Sequence, residues 1–309
     1  MHTHHHEHHD HATDAAVLAT KEGITAVKYS FWILAATACI QLYIALISGS
    51  VALLADTIHN VADACTSLPL WAAFLLSHKK PSHRFTYGYG RVEDFAGMVI
   101  VLIIVLSAGA IAYKSIERLI HPEQITNISA IVVASILGFA GNEMVARYRI
   151  RIGKKIESAA LVADGAHARA DSYTSLAVLL SALGAWAGMP IVDSIVGIGI
   201  VIALCKVIYD ASVQVFTRLL DGVDPTIIDK IATTLTQFQY MHSARNIRAR
   251  WVGHHLHAEI DMTAASNYPI ATCHNMTHKA EDLLKTVLPA LTHIAIHVHP
   301  PNQHDHNSH

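Results

Sequence analysis

Charge is scarce in this chain: Lys, Arg, Asp and Glu make up 15% of its 309 residues, and the two signs nearly cancel at a net −2. A near-neutral chain lacks the electrostatic footprint of a nucleic-acid binder, so no nucleic-acid partner is expected. Cysteine is equally thin. Of the four, Cys39, Cys65 and Cys205 lie in apolar segments, Cys273 stands alone beside His274, and no CxxC pair occurs. That pattern supports neither a disulfide framework nor a thiolate zinc site. The HExxH motif, in which two histidines hold zinc beside a general base, is absent as well. No cleavable signal-peptide pattern is seen either, since a polar, His-rich segment precedes the first apolar run, and insertion by the first helix itself is expected.

What the chain has in quantity is apolar residues. At 52% hydrophobic and a mean hydropathy of +0.34 it falls among integral membrane proteins. Six stretches approach the ~20 apolar residues that cross a bilayer: roughly Val27–Ser48, Val51–Leu76, Phe95–Arg118, Ile125–Tyr148, Ser158–Trp186 and Ile191–Ile208. The expected fold is an all-α six-helix transmembrane bundle over 23–211, embedded in a lipid bilayer and followed by a soluble domain. Loop charges orient it. Lys79, Lys80, Arg84 and Arg91 follow the second stretch and Arg147, Arg149, Arg151, Lys154 and Lys155 follow the fourth, while the turns near Gly49 and Gly188 carry no Lys or Arg. Basic loops stay cytoplasmic, so a multi-pass protein with both termini in the cytoplasm is expected, and a plasma (inner) membrane is its expected location.

Residues 1–22 form a His-rich tail that cannot build a core and reads as a disordered, weak metal reservoir. At the other end, Asp221-Gly-Val-Asp-Pro225 marks a boundary. Residues 212–300 then read as an α+β domain in the order α-β-β-α-β: a helix near Pro225–Gln237, strands near Asn246–Trp251 and His255–Met262, a helix near Ile270–Thr286 and a strand near Ile294–Val298. A polar tail, 301–309, closes the chain. Alternation places His255, His257, Glu259 and Asp261 on one face of their strand and His293, His297 and His299 on one face of the last, while His274 and His278 share a helical face. A peripheral metal site is expected here, its candidates His257, Glu259, His274, His297 and His299.

One pattern is written twice inside the apolar region: Ala-Asp-x-x-His-x-x-Ala-Asp, at Ala55–Asp63 and again at Ala163–Asp171. Asp56, His59 and Asp63, and likewise Asp164, His167 and Asp171, are spaced i, i+3, i+7 and line one face of a helix. Ionisable groups at membrane depth are expensive and turn towards a partner or a pathway. Two such helices face to face supply two imidazoles and two carboxylates, a four-ligand set suited to a tetrahedral divalent metal such as zinc.

These segments carry a family resemblance. Ser50-Val-Ala-Leu-Leu-Ala-Asp-Thr-Ile-His59 running to Asp63, Tyr87-Gly-Tyr-Gly-Arg-Val-Glu93, and Ser158-Ala-Ala-Leu-Val-Ala-Asp-Gly-Ala-His167 running to Asp171 resemble the signature segments of the cation diffusion facilitator family. The likeness extends over nearly the whole chain after the His-rich tail and includes a metallochaperone-like (ferredoxin-like) C-terminal domain. It implies a homodimer, six helices per protomer, that exports a divalent cation in exchange for protons. On the family's motif the transport ligands fall on His59, Asp63, His167 and Asp171, with Asp56 and Asp164 one turn earlier as residues that orient the ligands or accept released protons. Two histidines with two aspartates resemble the zinc-type members, so Zn2+ is the expected cargo, with Cd2+ and Co2+ as further candidates. Where some members carry another metal site between helices two and three, this chain offers His83, beside Phe85 and Tyr89. Two other classes compete: a membrane-bound metal sensor using the C-terminal histidines alone, and a zinc-dependent membrane enzyme. Metal flux separates them.

Overall fold

The computed structural model describes residues 10–48, 57, 61, 67–77, 79–120, 128–189, 191–236 and 243–301. Asp56, His59 and Asp63 lie outside these, as do most of the His-rich stretch and the polar C-terminal tail. The chain divides into two compact units, one of them Thr20–Phe216 and the other made of Thr217–His309 together with Met1–Ala19, so that the start of the first helix and the end of the sixth are grouped with the second.

The first unit is helical: α1 (Asp10–Ser48), α2 (Ser67–Ser77), α3 (Arg91–Ile120), α4 (Ile128–Lys155), α5 (Ala159–Trp186) and α6 (Ile191–Leu219). Its polarity is the reverse of a water-soluble bundle. Trp32, Ile47, Leu106, Ile198 and Ile202 face outward, while Gln41, Ser67, Arg149, Asp164 and His167 are buried. An apolar exterior over a polar interior is what a lipid solvent selects, and the protein is integral to a membrane. Among the described residues four helical segments are long and apolar enough to cross it, Val17–Ser48, Arg91–Ala110, Ile128–Lys155 and Ile195–Leu219. The other two expected crossings fall on α2, described over eleven residues, and on α5, whose hydropathy is lowered by Asp164, His167, Arg169 and Asp171.

Three sequence expectations change. The tail expected to be disordered through residue 22 is helical from Asp10, because nothing between Asp10 and Ser48 interrupts the helix: the stretch has no proline. The basic segment after the fourth stretch is not a loop. Arg147, Arg149 and Arg151 continue α4 to Lys155, leaving only Ile156-Glu157-Ser158 as the turn. Glu157 adopts a positive φ of 57°, the Ser158 amide donates to the Gly153 carbonyl at 2.8 Å, and the Ser158 hydroxyl accepts from the Leu161 amide at 3.1 Å, capping α5. Finally, residues 212–219, expected to open the soluble domain, continue α6. α6 persists until Asp221 takes a left-handed φ of 60° and the Gly222 amide reaches back to the Thr217 carbonyl at 2.7 Å.

That short turn allows α4 and α5 to pack as a tight antiparallel hairpin. A Cβ on Gly165 would meet the Ile150 backbone nitrogen at 3.0 Å, and one on Gly153 would meet the Val162 backbone nitrogen at 2.9 Å. Only glycine permits this approach, as expected of small residues between membrane helices.

The C-terminal domain has the expected order, α7 (Pro225–Thr236), β1 (Ser243–Val252), β2 (His255–Thr263), α8 (Ile270–Val287) and β3 (Leu291–His299). Asp224 starts α7: its Oδ1 accepts from the Thr226 amide at 2.9 Å and the Thr226 hydroxyl at 2.7 Å, with Pro225 in the first helical position. β1 and β2 are antiparallel, joined by a tight turn at Gly253 and His254, and β3 runs parallel to β2. Leu256, Ala258, Ile260 and Met262 of β2 pack with Ile231 and Leu235 of α7 and Met276, Ala280 and Leu284 of α8. The helices therefore cover one face of the sheet. The other face carries the charged and histidine side chains.

Candidate metal-transport site

α5 positions the described half of the expected quartet. The spacing in its sequence brings Asp164, His167 and Asp171 to one inward face, where they are 0%, 2% and 8% exposed. His167 Nδ1 lies 3.8 Å from Asp171 Oδ1. That is longer than a hydrogen bond and suits two donors that address a common cation. Both His167 ring nitrogens are shielded from solvent. His59 and Asp63 belong to the segment in which the described residues are Thr57 and Val61, both helical, with Thr57 buried.

Asp164 does something the sequence reading did not assign to it. Its carboxylate Oδ2 stands 2.9 Å from Nη1 of Arg149, a residue only 1% exposed. The other arm of the guanidinium, Nη2, donates to the Ser67 hydroxyl on α2 at 2.7 Å. Any orienting role of Asp164 thus runs through α4. Arg149 had been counted as a basic loop charge; the signal that would have found it is the small-residue stripe of α4, since Gly138, Asn142, Val145, Arg149 and Gly153 all fall on its buried side. Glu143 on the same helix is a second residue missed. It accepts from Arg147 Nε at 2.6 Å and from the Ser172 hydroxyl at 3.3 Å, with Arg169 Nε 3.6 Å away, immediately beside the Asp171 turn.

The connection between α2 and α3 is organised without a ligand set among its described residues. Phe85 and Tyr89 rings stand 5.0 Å apart, and the Ser82 hydroxyl accepts from the Phe85 amide at 3.1 Å.

The five C-terminal candidates lie on two different sides of the sheet within one chain. His257, Glu259, His297 and His299 project from the open face of the sheet, whereas His274 is exposed on α8, which covers the opposite face. The contacts are pairwise. The His257 and His293 rings are 5.3 Å apart across β2 and β3, and His299 Nε2 is 3.8 Å from Asp261 Oδ1. Glu259 lies opposite Arg248 in the β1–β2 register. His274 Nε2 meets His278 Nε2 at 3.1 Å, and Glu281 Oε2 lies 3.6 Å from His278 Nδ1. Among the described residues no group of three or more His, Cys, Asp or Glu side chains converges as a metal cage.

Residues 27–220 match the cation efflux transmembrane domain, and residues 223–301 match the cytoplasmic domain of cation efflux proteins. The chain belongs to the cation diffusion facilitator, or cation efflux, family. It is similar to a probable cation efflux system protein of Mycobacterium tuberculosis, 47% identical over 94% of this chain and 87% of the relative. The magnetosome protein MamB of Magnetospira sp. is 29% identical over 70% of this chain and 74% of its own length. A manganese efflux system protein of Bacillus subtilis is 23% identical over 92% and 97%. As a cation diffusion facilitator the protein is a transporter and not an enzyme, which removes the zinc-hydrolase alternative. The buried polar face of α5 lies within the part that matches the transmembrane domain.

Proposed function

We propose that this protein exports a divalent transition-metal ion, Zn2+ before Cd2+ or Co2+, in exchange for protons. The observation that carries this reading is the buried His167–Asp171 pair, 3.8 Å apart on an inward helix face of a cation efflux transmembrane unit. His59 and Asp63 complete a four-donor set of mixed imidazole and carboxylate character, which suits zinc geometry.

The chemistry supplies the coupling. A histidine binds metal only when its ring nitrogen is free of a proton, so loading releases protons and reprotonation of the emptied site favours release of the ion. Two states, open alternately to either side, turn that exchange into flux. The working unit is a homodimer in a plasma membrane, with both termini in the cytoplasm. Arg149 is buried in the helical unit, and Lys79, Lys80, Arg84, Lys154 and Lys155 are the basic residues that favour this orientation. The His-rich tail and the C-terminal histidines act at the periphery as metal reservoir and regulator.

A second cargo, Mn2+, is favoured by the likeness to proteins named as manganese efflux systems. Proteoliposome flux with zinc, cadmium, cobalt, manganese and iron in competition separates the readings. Zinc-dominated, proton-coupled flux lost in His167→Ala supports the proposal; manganese dominance overturns its cargo, and metal binding without flux would leave a sensor.

A further inference from the structure

Arg149 is nearly devoid of solvent, and so is its partner Asp164, with side-chain exposures of 2% and 0%. Burying such a pair in place of well-packed apolar side chains generally adds no stability, because the loss of hydration offsets the attraction. Its role is then sought in geometry. The guanidinium is a planar fork whose nitrogens are held at a constant separation, unlike the single mobile ammonium of lysine. Here the fork is split between two helices: Nη1 faces Asp164 of α5 at 2.9 Å and Nη2 donates to Ser67 of α2 at 2.7 Å.

The places gripped are telling. Asp164 precedes His167 by one helical turn, and Ser67 follows Asp63 by four residues. The two arms of Arg149 thus grip residues that stand three before one expected ligand, His167, and four after another, Asp63, in the sequence, while α4 contributes no ligand to the quartet. Arg149 itself is anchored, because the short turn at Ile156–Ser158 and the close approach of Gly165 to Ile150 bind α4 to α5. The neutral Ser67 hydroxyl is therefore the polar arm by which Arg149 reaches α2 from the hairpin.

We infer that Arg149 is a positioning residue that spaces α2 from α5 through Ser67 and Asp164, and thereby sets the separation of the metal ligands and the choice of cation. This rests on the transport reading above. If the buried pair served only to hold the α4–α5 hairpin, Ser67 would be dispensable, since it lies outside that hairpin. If it spaces the ligands, removing the Ser67 hydroxyl loosens the quartet and relaxes discrimination between zinc and the larger manganese ion.

The test is proteoliposome transport by the full chain, measuring KM, kcat and the zinc-to-manganese ratio for Ser67→Ala, Ser67→Thr and Ser67→Val. Thermal unfolding runs alongside as a check on the fold. Loss of a hydrogen bond to a charged group corresponds to about a tenfold change, so Ser67→Ala is expected to raise the zinc KM about tenfold and to shift the ratio towards manganese. Ser67→Thr restores both, because it keeps the hydroxyl. Ser67→Val, which matches threonine in shape, does not, and this pair decides the matter if the alanine variant folds poorly. Unchanged KM and ratio in Ser67→Ala, equal behaviour of the threonine and valine variants, or a fall in kcat alone overturns the inference. Wild-type protein that carries no metal, or His167→Ala that transports normally, instead overturns the transport reading.

Discussion

In α5, His167 and Asp171 are 2% and 8% exposed and stand 3.8 Å apart inside an apolar helical unit, whereas His297 and His299 on β3 stand in solvent. The residue types are nearly the same. Their physics is not, because a buried donor that leaves water needs a partner or a cargo, while an exposed one is satisfied by water. Buried groups in this molecule accordingly converge and link helices, as Arg149, Asp164 and Ser67 do. Exposed ones make pairwise contacts such as His274 with His278 and His299 with Asp261. A histidine-rich face is thus weaker evidence of a metal centre than one histidine inside a membrane helix.

That contrast can be broken by substitution. The largest effect is expected from Asp171→Ala or Asp63→Ala, each of which is expected to abolish metal flux while the purified protein retains its size and helicity, since three donors cannot complete a tetrahedral site. Near-normal flux in either variant would place the pathway elsewhere.

Next comes the Arg149–Asp164 pair. Arg149→Met leaves Asp164 as an uncompensated buried charge and is expected to lower stability by about 3–5 kcal/mol. Adding Asp164→Leu should recover most of that loss in thermal unfolding, yet leave the altered zinc-to-manganese ratio uncorrected. A double variant as unstable as the single one would show that the two charges are not coupled.

On the exposed side effects are smaller. His274→Ala or His278→Ala is expected to weaken metal protection of the other histidine against carbethoxylation, read peptide by peptide in the full chain, because two imidazoles at helical spacing chelate jointly. Maximal flux should persist. His297→Ala with His299→Ala is expected to leave His274 protection unchanged, and a loss there would mean the two faces share one ion.

The smallest effect concerns Asp224, fully exposed at the start of α7. Hydrogen bonds from the Thr226 side chain and backbone lower its pKa below the ordinary carboxylate value of 3.8. A depressed carboxyl contributes stability above its unfolded pKa, and that contribution fades as pH falls through the lower folded value. Asp224→Asn should therefore change stability at neutral pH slightly and flatten only the acidic limb, below about pH 4, of an unfolding profile. An identical acidic limb in the variant would remove Asp224 as its source.

Much of this architecture was legible beforehand for stated reasons. The C-terminal elements follow from period-two alternation, so β2 was expected at His255–Met262 and is found at His255–Thr263. The repeated Asp-x-x-His spacing foretold that Asp164, His167 and Asp171 share a face, and all three are buried. Arg149 was misplaced because a basic run at the end of an apolar stretch reads as a loop, and only the inward stripe of glycines and alanines on α4 tells Arg149 from Arg147 and Arg151.

The sequence by itself determined that this chain lies in a membrane, that it ends in an α-β-β-α-β domain, and which residues occupy a common helix or strand face. Those are consequences of hydropathy and of backbone periodicity, both local properties. Only the tertiary structure decided which neighbour each face meets: that Asp164 turns to Arg149 and through it to Ser67, that the His274–His278 pair lies on the side of the sheet away from the histidines of β2 and β3, and that Gly165 lets α5 close on α4. Partners are chosen by how helices and strands pack, and packing depends on shape and burial summed over residues far apart in the chain.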